Sequence, residues 1–444
     1  MSAFWAFVVF WGVWLLIPLA VDGTDTLVSL VTVFWLRLRA RKPASLVYFP
    51  IISIIIPVYN SQETLRACLE SIARQEYPLE KMEVFVVNNG STDHSFGVFN
   101  EIQGKYGLNV RWMSVVNQGK AWALNAGIHM VRGNYVFNID SDVVVSPEAI
   151  RRVVEAFESH PDVAAATGAI HVLPVAADAP WLNQVLTRCE YFEYLTAYHI
   201  GRAHQSILKN LYTLSGAFSV FRRDILVQTN LYGQETVTED TDMTFHLYEK
   251  FSKYRIICVT EAIAYVHPIE SLAALYAQRV RWQRGQVEVS ARHVGLMQAS
   301  VWKPYGFTPS RVLLIDHTLA FTRLVWTFFM PILILFGYPV AFIFTALFII
   351  YIFYLLVDAL WFFVSWNGVD ASARVRLRAD FWILPFMPAY RMIVFWFRVS
   401  GFLYAVAEPG QWRVQDPLTQ SRLGFADMVS RTATFLRAKF SHKK

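Results

Sequence analysis

The stretch at residues 135–142 reads YVFNIDSD. Its first part, Tyr135–Ile139, is a short apolar run with β-branched and aromatic residues, the pattern of a strand buried on both faces. Similar runs precede it at Ile51–Ile56, Glu83–Val87 and Val110–Val115. Helical patterns lie between them. Leu65, Leu69 and Ile72 recur at helical spacing behind Asn60 and Glu63, which form a capping-box pattern. Ala121–Val131 and Pro147–Glu158 also read as helices. Strands alternating with helices predict an α/β domain with a mostly parallel sheet and helices on both faces. Ligands of such sheets bind beyond the carboxyl ends of the strands. The polar clusters fall there: Tyr59-Asn60, Asn88 to Asp93, and Asp140 to Asp142.

The chemistry starts from Asp140-Ser141-Asp142. Side chains two apart on a strand face the same way, so two carboxylates would converge at the strand end. They repel unless a cation lies between them, and hard oxygen ligands suit Mg²⁺ or Mn²⁺. Asn117-Gln118-Gly119-Lys120 opens a helix and offers backbone N–H groups and a point charge to phosphate. Thr238-Glu239-Asp240-Thr241-Asp242 places acids ahead of a helical run, Met243–Phe251, where a helix N-terminus also favours them. Gln278, Arg281 and Trp282 lie at i, i+3 and i+4, which puts an amide, a guanidinium and an indole on one helix face. That set suits a pyrophosphate next to a sugar ring.

The ends of the chain have a different composition. Over all 444 residues, 55% are hydrophobic and 17% charged, against about 25% charged in ordinary soluble domains. Disorder and a purely soluble enzyme are both disfavoured. Residues 3–21 are uncharged and long enough to span a bilayer core. No basic residue precedes them and no cleavage site follows, so a removable signal is not expected. Thr26–Leu36 either completes a hairpin or lies at the interface. Arg37, Arg39, Arg41 and Lys42 then place the following residues in the cytoplasm. Val312–Phe336 and Pro339–Val364 read as a transmembrane hairpin turning at Gly337-Tyr338-Pro339, with Asp316, His317 and Arg323 in its first limb. Phe381–Ala407 carries Pro385, Pro388, Arg391 and Arg398, and fits an interfacial or re-entrant helix. A basic tail follows. The divisions expected are 1–42, 43–295, 296–366 and 367–444. Cys68, Cys189 and Cys258 are scattered singly, so neither a disulfide framework nor a metal knuckle is expected. A net charge of +6 without a basic stripe gives no case for nucleic acid.

In order and rough spacing, SIIIPVYNSQETL (from Ser53), VVNNGSTD (from Val86), NQGKAWALNAG (from Asn117), NIDSD (from Asn138), LSGAFSVFRR (from Leu214), TED (from Thr238) and QRVRW (from Gln278) resemble one family. It is the membrane-bound, inverting family 2 glycosyltransferases, which includes cellulose, chitin, hyaluronan and poly-N-acetylglucosamine synthases. The last, bacterial branch is the most similar. The resemblance implies a GT-A type domain between membrane helices, using a UDP-sugar. It implies Asp140 and Asp142 at the diphosphate and metal, and Asp240 as the general base. Gln278 and Arg281 would hold the leaving pyrophosphate. Trp282, with Glu239, Ser215 and Gly216, would lie at the acceptor. Lys120, Tyr59, Glu63 and Asn89 would serve the nucleotide-sugar. The family usually has Asp-Asp-Gly-Ser where this chain has Asn88-Asn89-Gly90-Ser91. An Asn still offers a donor and an acceptor to a uracil edge.

The activity so implied is elongation of an extracellular or capsular-type β-linked polysaccharide from a UDP-sugar of the N-acetylglucosamine kind. The setting is a bacterial plasma membrane, with the catalytic domain cytoplasmic. The growing glycan and the bilayer would be partners, and an oligomer or a small membrane partner could complete a channel. The alternatives are a single-addition transferase acting on a lipid carrier and a catalytically inert subunit. Q-x-x-R-W favours the processive enzyme over the first, and retention of the acids speaks against the second.

Overall fold

The computed structural model describes Gly23, residues 26–28, Val31, and residues 46–116, 119–303, 305–314 and 329–407. The expected span at 3–21, the basic run at 37–42, Asn117-Gln118, Asp316, His317, Arg323 and the tail beyond Ala407 lie outside the described residues.

Eight strands form one sheet in the order β3-β2-β1-β4-β7-β6-β8-β5. They are β1 (Ile52–Val58), β2 (Met82–Asn88), β3 (Asn109–Ser114), β4 (Tyr135–Ile139), β5 (Val144–Val145), β6 (Val163–Val172), β7 (Phe218–Arg222) and β8 (Arg255–Val266). Strands β1 to β4 pair in parallel, as the sequence predicts. The sheet as a whole is mixed, which corrects the expectation of a mostly parallel one. Strand β7 runs antiparallel to both β4 and β6, and β5 runs antiparallel to β8. The periodicity argument reaches only β1 to β4. Strand β6, VAAATGAIHV, is built from small residues that carry little strand preference.

Both faces of the sheet are covered. Ile52, Ile54, Ile56, Val84, Val86 and Phe137 point into one core. That core is roofed by α1 (Leu65–Ala73), α2 (Ser95–Ile102) and α4 (Ala149–Ser159). Ile55, Phe85, Val87 and Val136 point the other way, beneath α3 (Lys120–Met130) and α6 (Glu239–Lys250). The period-2 alternation of a pleated strand divides each strand between the two cores. Fully burying each such side chain is worth about 1.5–3 kcal/mol.

Helix α1 begins at Leu65, later than the capping-box pattern predicts, and Thr64 caps it without a side-chain hydrogen bond. The Ser61 carbonyl oxygen accepts from Thr64 N and Leu65 N instead. Asn60 is left-handed, with φ of 50°, a conformation Asn tolerates. Its Oδ1 accepts from Thr92 N at 2.8 Å, so the side chain ties the loops after β1 and β2 together.

Helix α5 (Trp181–Tyr194) continues through a π-helical segment, Leu195–Gly201. Helix α7 (Leu272–Arg292) crosses from the sheet towards the C-terminal helices α8 (Val340–Gly368), α9 (Ala371–Ala379) and α10 (Met387–Ala407). Among the described residues, α8 is the one helix long and apolar enough to cross a membrane, with mean hydropathy 2.7. Its 29 residues rise about 43 Å, against a hydrocarbon core of about 30 Å. The chain turns into it at Gly337, with φ of 84°. Residues 315–328 of the hairpin's expected first limb are not among the described residues, and the flanking multi-span arrangement rests on α8 alone. Helix α10 lies along α7, and a Cβ on Gly401 would meet the Val280 carbonyl oxygen at 2.7 Å. Arg391 of α10 pairs with Asp358 of α8 at 2.7 Å, and Arg398 Nε donates to Gln283 Oε1 at 3.0 Å.

Candidate active site

The site gathers at the carboxyl ends of β1, β2 and β4. Strand β4 stops at Ile139, and Asp140-Ser141-Asp142 lies in the turn beyond it, closed by Val143 N donating to the Asp140 carbonyl oxygen. The spacing predicts two carboxylates on one strand face; they are instead set by the turn beyond the strand. Asp140 N donates to the Ala217 carbonyl oxygen at 3.2 Å, which fastens this turn to the start of β7. The Ser141 and Ser61 hydroxyls lie 2.7 Å apart, which fastens it to the loop after β1. Asp140 is half-buried and Asp142 exposed.

Lys120 opens α3 and points into the same basin. Its Nζ is 2.6 Å from Asp140 Oδ1 and 3.5 Å from Glu239 Oε1, and it donates to the Gly216 carbonyl oxygen at 3.4 Å. Glu239 and Asp240 form the first turn of α6. Asp240 Oδ2 accepts from Gly216 N at 2.9 Å, and Oδ1 accepts from Thr241 N at 2.8 Å. Glycine at 216 suits this close approach. A Cβ there would stand 3.2 Å from both Asp240 Oδ2 and Lys120 Nζ. Ser215, beside it, is buried, and its N donates to Thr167 Oγ1.

Burial pushes the Asp140 carboxyl up to about 6, with Lys120 opposing and Asp142 reinforcing the shift. Asp240 is also raised, by burial first and then by the Glu239 charge, with Lys120 offsetting part of it. Burial pulls the Lys120 ammonium down, but Asp140 and Glu239 outweigh it and hold the group above the usual lysine range. Three carboxylates, Asp140, Glu239 and Asp240, thus surround one ammonium, and a fourth, Asp142, stands beside Asp140. Such a set is short of positive charge, and its open side at Asp142 fits a hard divalent ion with oxygen ligands.

The loops expected at the nucleotide flank this basin. Tyr59 is 37% exposed, and Glu63 is exposed. Asn89 is buried, and its Oδ1 accepts from Gly119 N at 2.8 Å, so its carbonyl end holds the start of α3. Asn88 Oδ1 accepts from Ser91 N at 2.9 Å. Asp93 staples the two loops, accepting from Gln62 N and from the Ser95 hydroxyl.

Gln278, Arg281 and Trp282 share a face of α7. Among the described residues, no hydrogen bond or ion pair joins them to Asp140 or Asp240. Gln278 Oε1 is buried with no hydrogen-bond partner, and Arg281 is exposed. The Trp282 ring packs edge-on against Tyr198 at 5.9 Å, with the Arg279 guanidinium 4.5 Å from its centre. Helices α6 and α7 meet where Gly285 faces Thr238. A Cβ on Gly285 would lie 2.2 Å from Thr238 Oγ1. Sequence reasoning missed the support beneath this face. Glu193 of α5 accepts from Arg279 Nη2 at 2.6 Å and from the Tyr390 hydroxyl at 2.7 Å. Glu193 is 86 residues from Arg279, and no local pattern marks it.

Residues 50–285 match the family described as glycosyltransferase like family 2, more than half of the chain. A poly-beta-1,6-N-acetyl-D-glucosamine synthase of Staphylococcus epidermidis is 28% identical over 243 residues, covering 54% of this chain and 56% of that protein. A protein of the same name from Staphylococcus aureus (strain COL) is 27% identical over 241 residues, with the same shares. The chain thus matches about half the length of these curated relatives. Among solved structures, a mannosyltransferase from Pyrobaculum calidifontis, in complex with GDP-Man and Mn²⁺, superposes with a TM-score of 0.55. The superposition covers 88% of this chain and 98% of that one, at 16% identity, and speaks to the fold alone.

Proposed function

This chain belongs to glycosyltransferase like family 2, and on that premise we propose that it elongates a β-linked, N-acetylglucosamine-type polysaccharide from a UDP-sugar at the cytoplasmic face of a bacterial plasma membrane. The observation that carries the reading is Asp240. It stands at the start of α6, held by two backbone N–H groups, beside the Lys120–Asp140 pair. The staphylococcal synthases supply the choice of sugar.

The reaction requires a base for the acceptor hydroxyl and charge neutralisation for the departing diphosphate. Asp240 takes the hydroxyl proton onto a carboxylate oxygen. Gly216 N and Thr241 N hold that carboxylate in place. The freed oxygen attacks the anomeric carbon from the face opposite UDP, and the bond to the β-phosphate oxygen breaks. Lys120 and Arg281 are the cations at hand for the diphosphate. Asp140 and Asp142 would hold Mg²⁺ or Mn²⁺, which supplies further neutralisation of the leaving group. Tyr59, Glu63 and Asn89 border the nucleotide, Gln278 joins Arg281 at the leaving pyrophosphate, and Trp282, Glu239, Ser215 and Gly216 border the acceptor. Helix α8 anchors the chain in the bilayer, and a second copy or a small membrane partner completes any path for the polymer.

The test is incubation of the full chain, in detergent, with UDP-N-acetylglucosamine and Mg²⁺ or Mn²⁺, followed by sizing of the product. A polymer supports the reading, and addition of a single sugar to a lipid overturns it. Asp240→Asn is expected to abolish transfer while keeping UDP affinity near wild type, because binding and proton removal use different residues. Near-normal turnover by that variant would remove Asp240 from the role of base. Excess EDTA is expected to stop turnover, and undiminished activity would exclude the metal-bound diphosphate.

A further inference from the structure

Behind the start of α6 lies a second polar cluster that the proposed chemistry does not use. Asp242 is fully buried, two residues beyond Asp240. His246 follows one turn later on the same helix face. His293, just past the end of α7, closes the group from the other side and is also buried. One donor atom from each lies within 4.8 Å of the others. Among the described residues this is the one such His, Cys, Asp or Glu group.

The spacing resembles a coordination shell. Asp242 Oδ1 is 2.9 Å from His293 Nε2, and Asp242 Oδ2 is 3.8 Å from His246 Nδ1. Tetrahedral bonds of about 2.0–2.2 Å place neighbouring ligand atoms about 3.3–3.5 Å apart, between these two separations. Asp242 Oδ2 and His246 Nδ1 are both buried without a hydrogen-bond partner. Orphaned polar atoms are rare in a folded interior and call for an occupant.

The surroundings fit as well. Glu249 Oε2 lies 2.9 Å from His293 Nδ1. When His293 donates its Nδ1–H there, Nε2 is left as the lone-pair face towards Asp242, the usual carboxylate–histidine–metal arrangement. His246 and Glu249 also line a cavity of about 280 Å³ with Thr229, Asn230 and Lys250. It opens beside His246, with room there for a completing water. Two cations stand near. Arg292 Nε is 3.7 Å from Asp242 Oδ1, but its Nη1 is engaged by Glu235. The Lys250 ammonium donates to the Gln228 carbonyl oxygen.

We propose that Asp242, His246 and His293 bind a zinc-like divalent cation that pins the base-bearing helix α6 to the end of α7. Imidazole ligands select a borderline transition ion over Mg²⁺, so this site differs from the hard-ion site expected at Asp140 and Asp142. Binding displaces the proton that His293 Nε2 otherwise shares with Asp242 and releases it to solvent.

The experiment uses the full chain in detergent, stripped with chelator, reloaded with Zn²⁺, desalted and assayed for metal content. Wild type is expected to retain stoichiometric zinc, and Zn²⁺, but not Mg²⁺, is expected to raise its melting temperature. Asp142→Ala should behave the same way, which separates this site from the proposed catalytic ion. His246→Ala should lose both the zinc and the shift. Wild type without stoichiometric zinc, or His246→Ala that retains it, overturns the proposal. Reloading wild type with Co²⁺ tests it independently of any variant. A visible absorption band of tetrahedral cobalt is expected, and its absence overturns the assignment. None of these readouts needs turnover, so they stand apart from the test of the polysaccharide reading.

Discussion

Lys120 is a single ammonium among Asp140, Glu239 and Asp240, and its removal has a readable cost. In Lys120→Met, Asp140 and Glu239 lose the cation that lies 2.6 and 3.5 Å from them. A charge-assisted hydrogen bond of this kind is worth roughly 1.5–3 kcal/mol. The variant is expected to melt at a lower temperature in metal-free buffer, and excess Mn²⁺ should restore part of the loss. A melting temperature indifferent to Mn²⁺ would argue against an ion at this basin. Trp282 stands differently. Its ring packs on Tyr198 and under Arg279, so Trp282→Ala should lower stability as well as stop polymer formation. Trp282→Phe should recover the melting temperature and regain only part of the polymer length, which is read by sizing products. At this scale the sequence marks the acids well, because Glu239, Asp240 and Asp242 stand out in an apolar chain. It does not mark Glu193, whose function arises only when α5 meets α7, nor the hydrogen bond from Gly119 N to Asn89.

At the scale of elements, the seam between α6 and α7 depends on an absent side chain. A methyl group at Gly285 would collide with Thr238, which precedes Glu239 and Asp240. Gly285→Ala is expected to push the start of α6 away from Gly216 and cost about 1–3 kcal/mol. Denaturant melts would read the loss of stability, and turnover should fall further than donor affinity. The first four strands are legible because each carries β-branched or aromatic residues in a short run framed by polar turns. The next four are not. Strand β6 is rich in Ala, β5 has two residues, and the direction of β7 depends on how the long connection from β6 returns. The start of α1 departs from its local pattern for a related reason. Asn60 and Glu63 satisfy a local capping rule, yet Asn60 is recruited by Thr92 in another loop.

Across the whole molecule, two features link distant parts of the chain. The first is the buried pair of imidazoles, His171 on β6 and His199 in the π-helical segment, 3.1 Å apart. Burial pushes His171 down to about 3 and His199 to about 4, and each stays neutral in the fold. Above the ordinary histidine value of about 6.5 both states are neutral and the full stability is present. As pH falls below that value, the unfolded chain takes up protons that the folded chain refuses, so stability declines towards pH of about 4. Melting temperatures measured between these limits should fall less steeply in a His171→Asn/His199→Asn double variant than in wild type.

The second feature is α10, which grips Asp358 of the long apolar helix α8 through Arg391 and Gln283 of α7 through Arg398. In a bilayer, a helix of 29 residues would exceed the hydrocarbon thickness and tilt to fit it. Lipid with shorter acyl chains would force a steeper lean, and the contacts of α10 would carry it to the helix bearing Gln278, Arg281 and Trp282. On the proposed reading, the enzyme would in this respect be geared to its solvent. Reconstituted in vesicles of graded acyl length, it should lengthen or shorten its product with the thickness of the lipid, and Arg398→Ala should slip the gear.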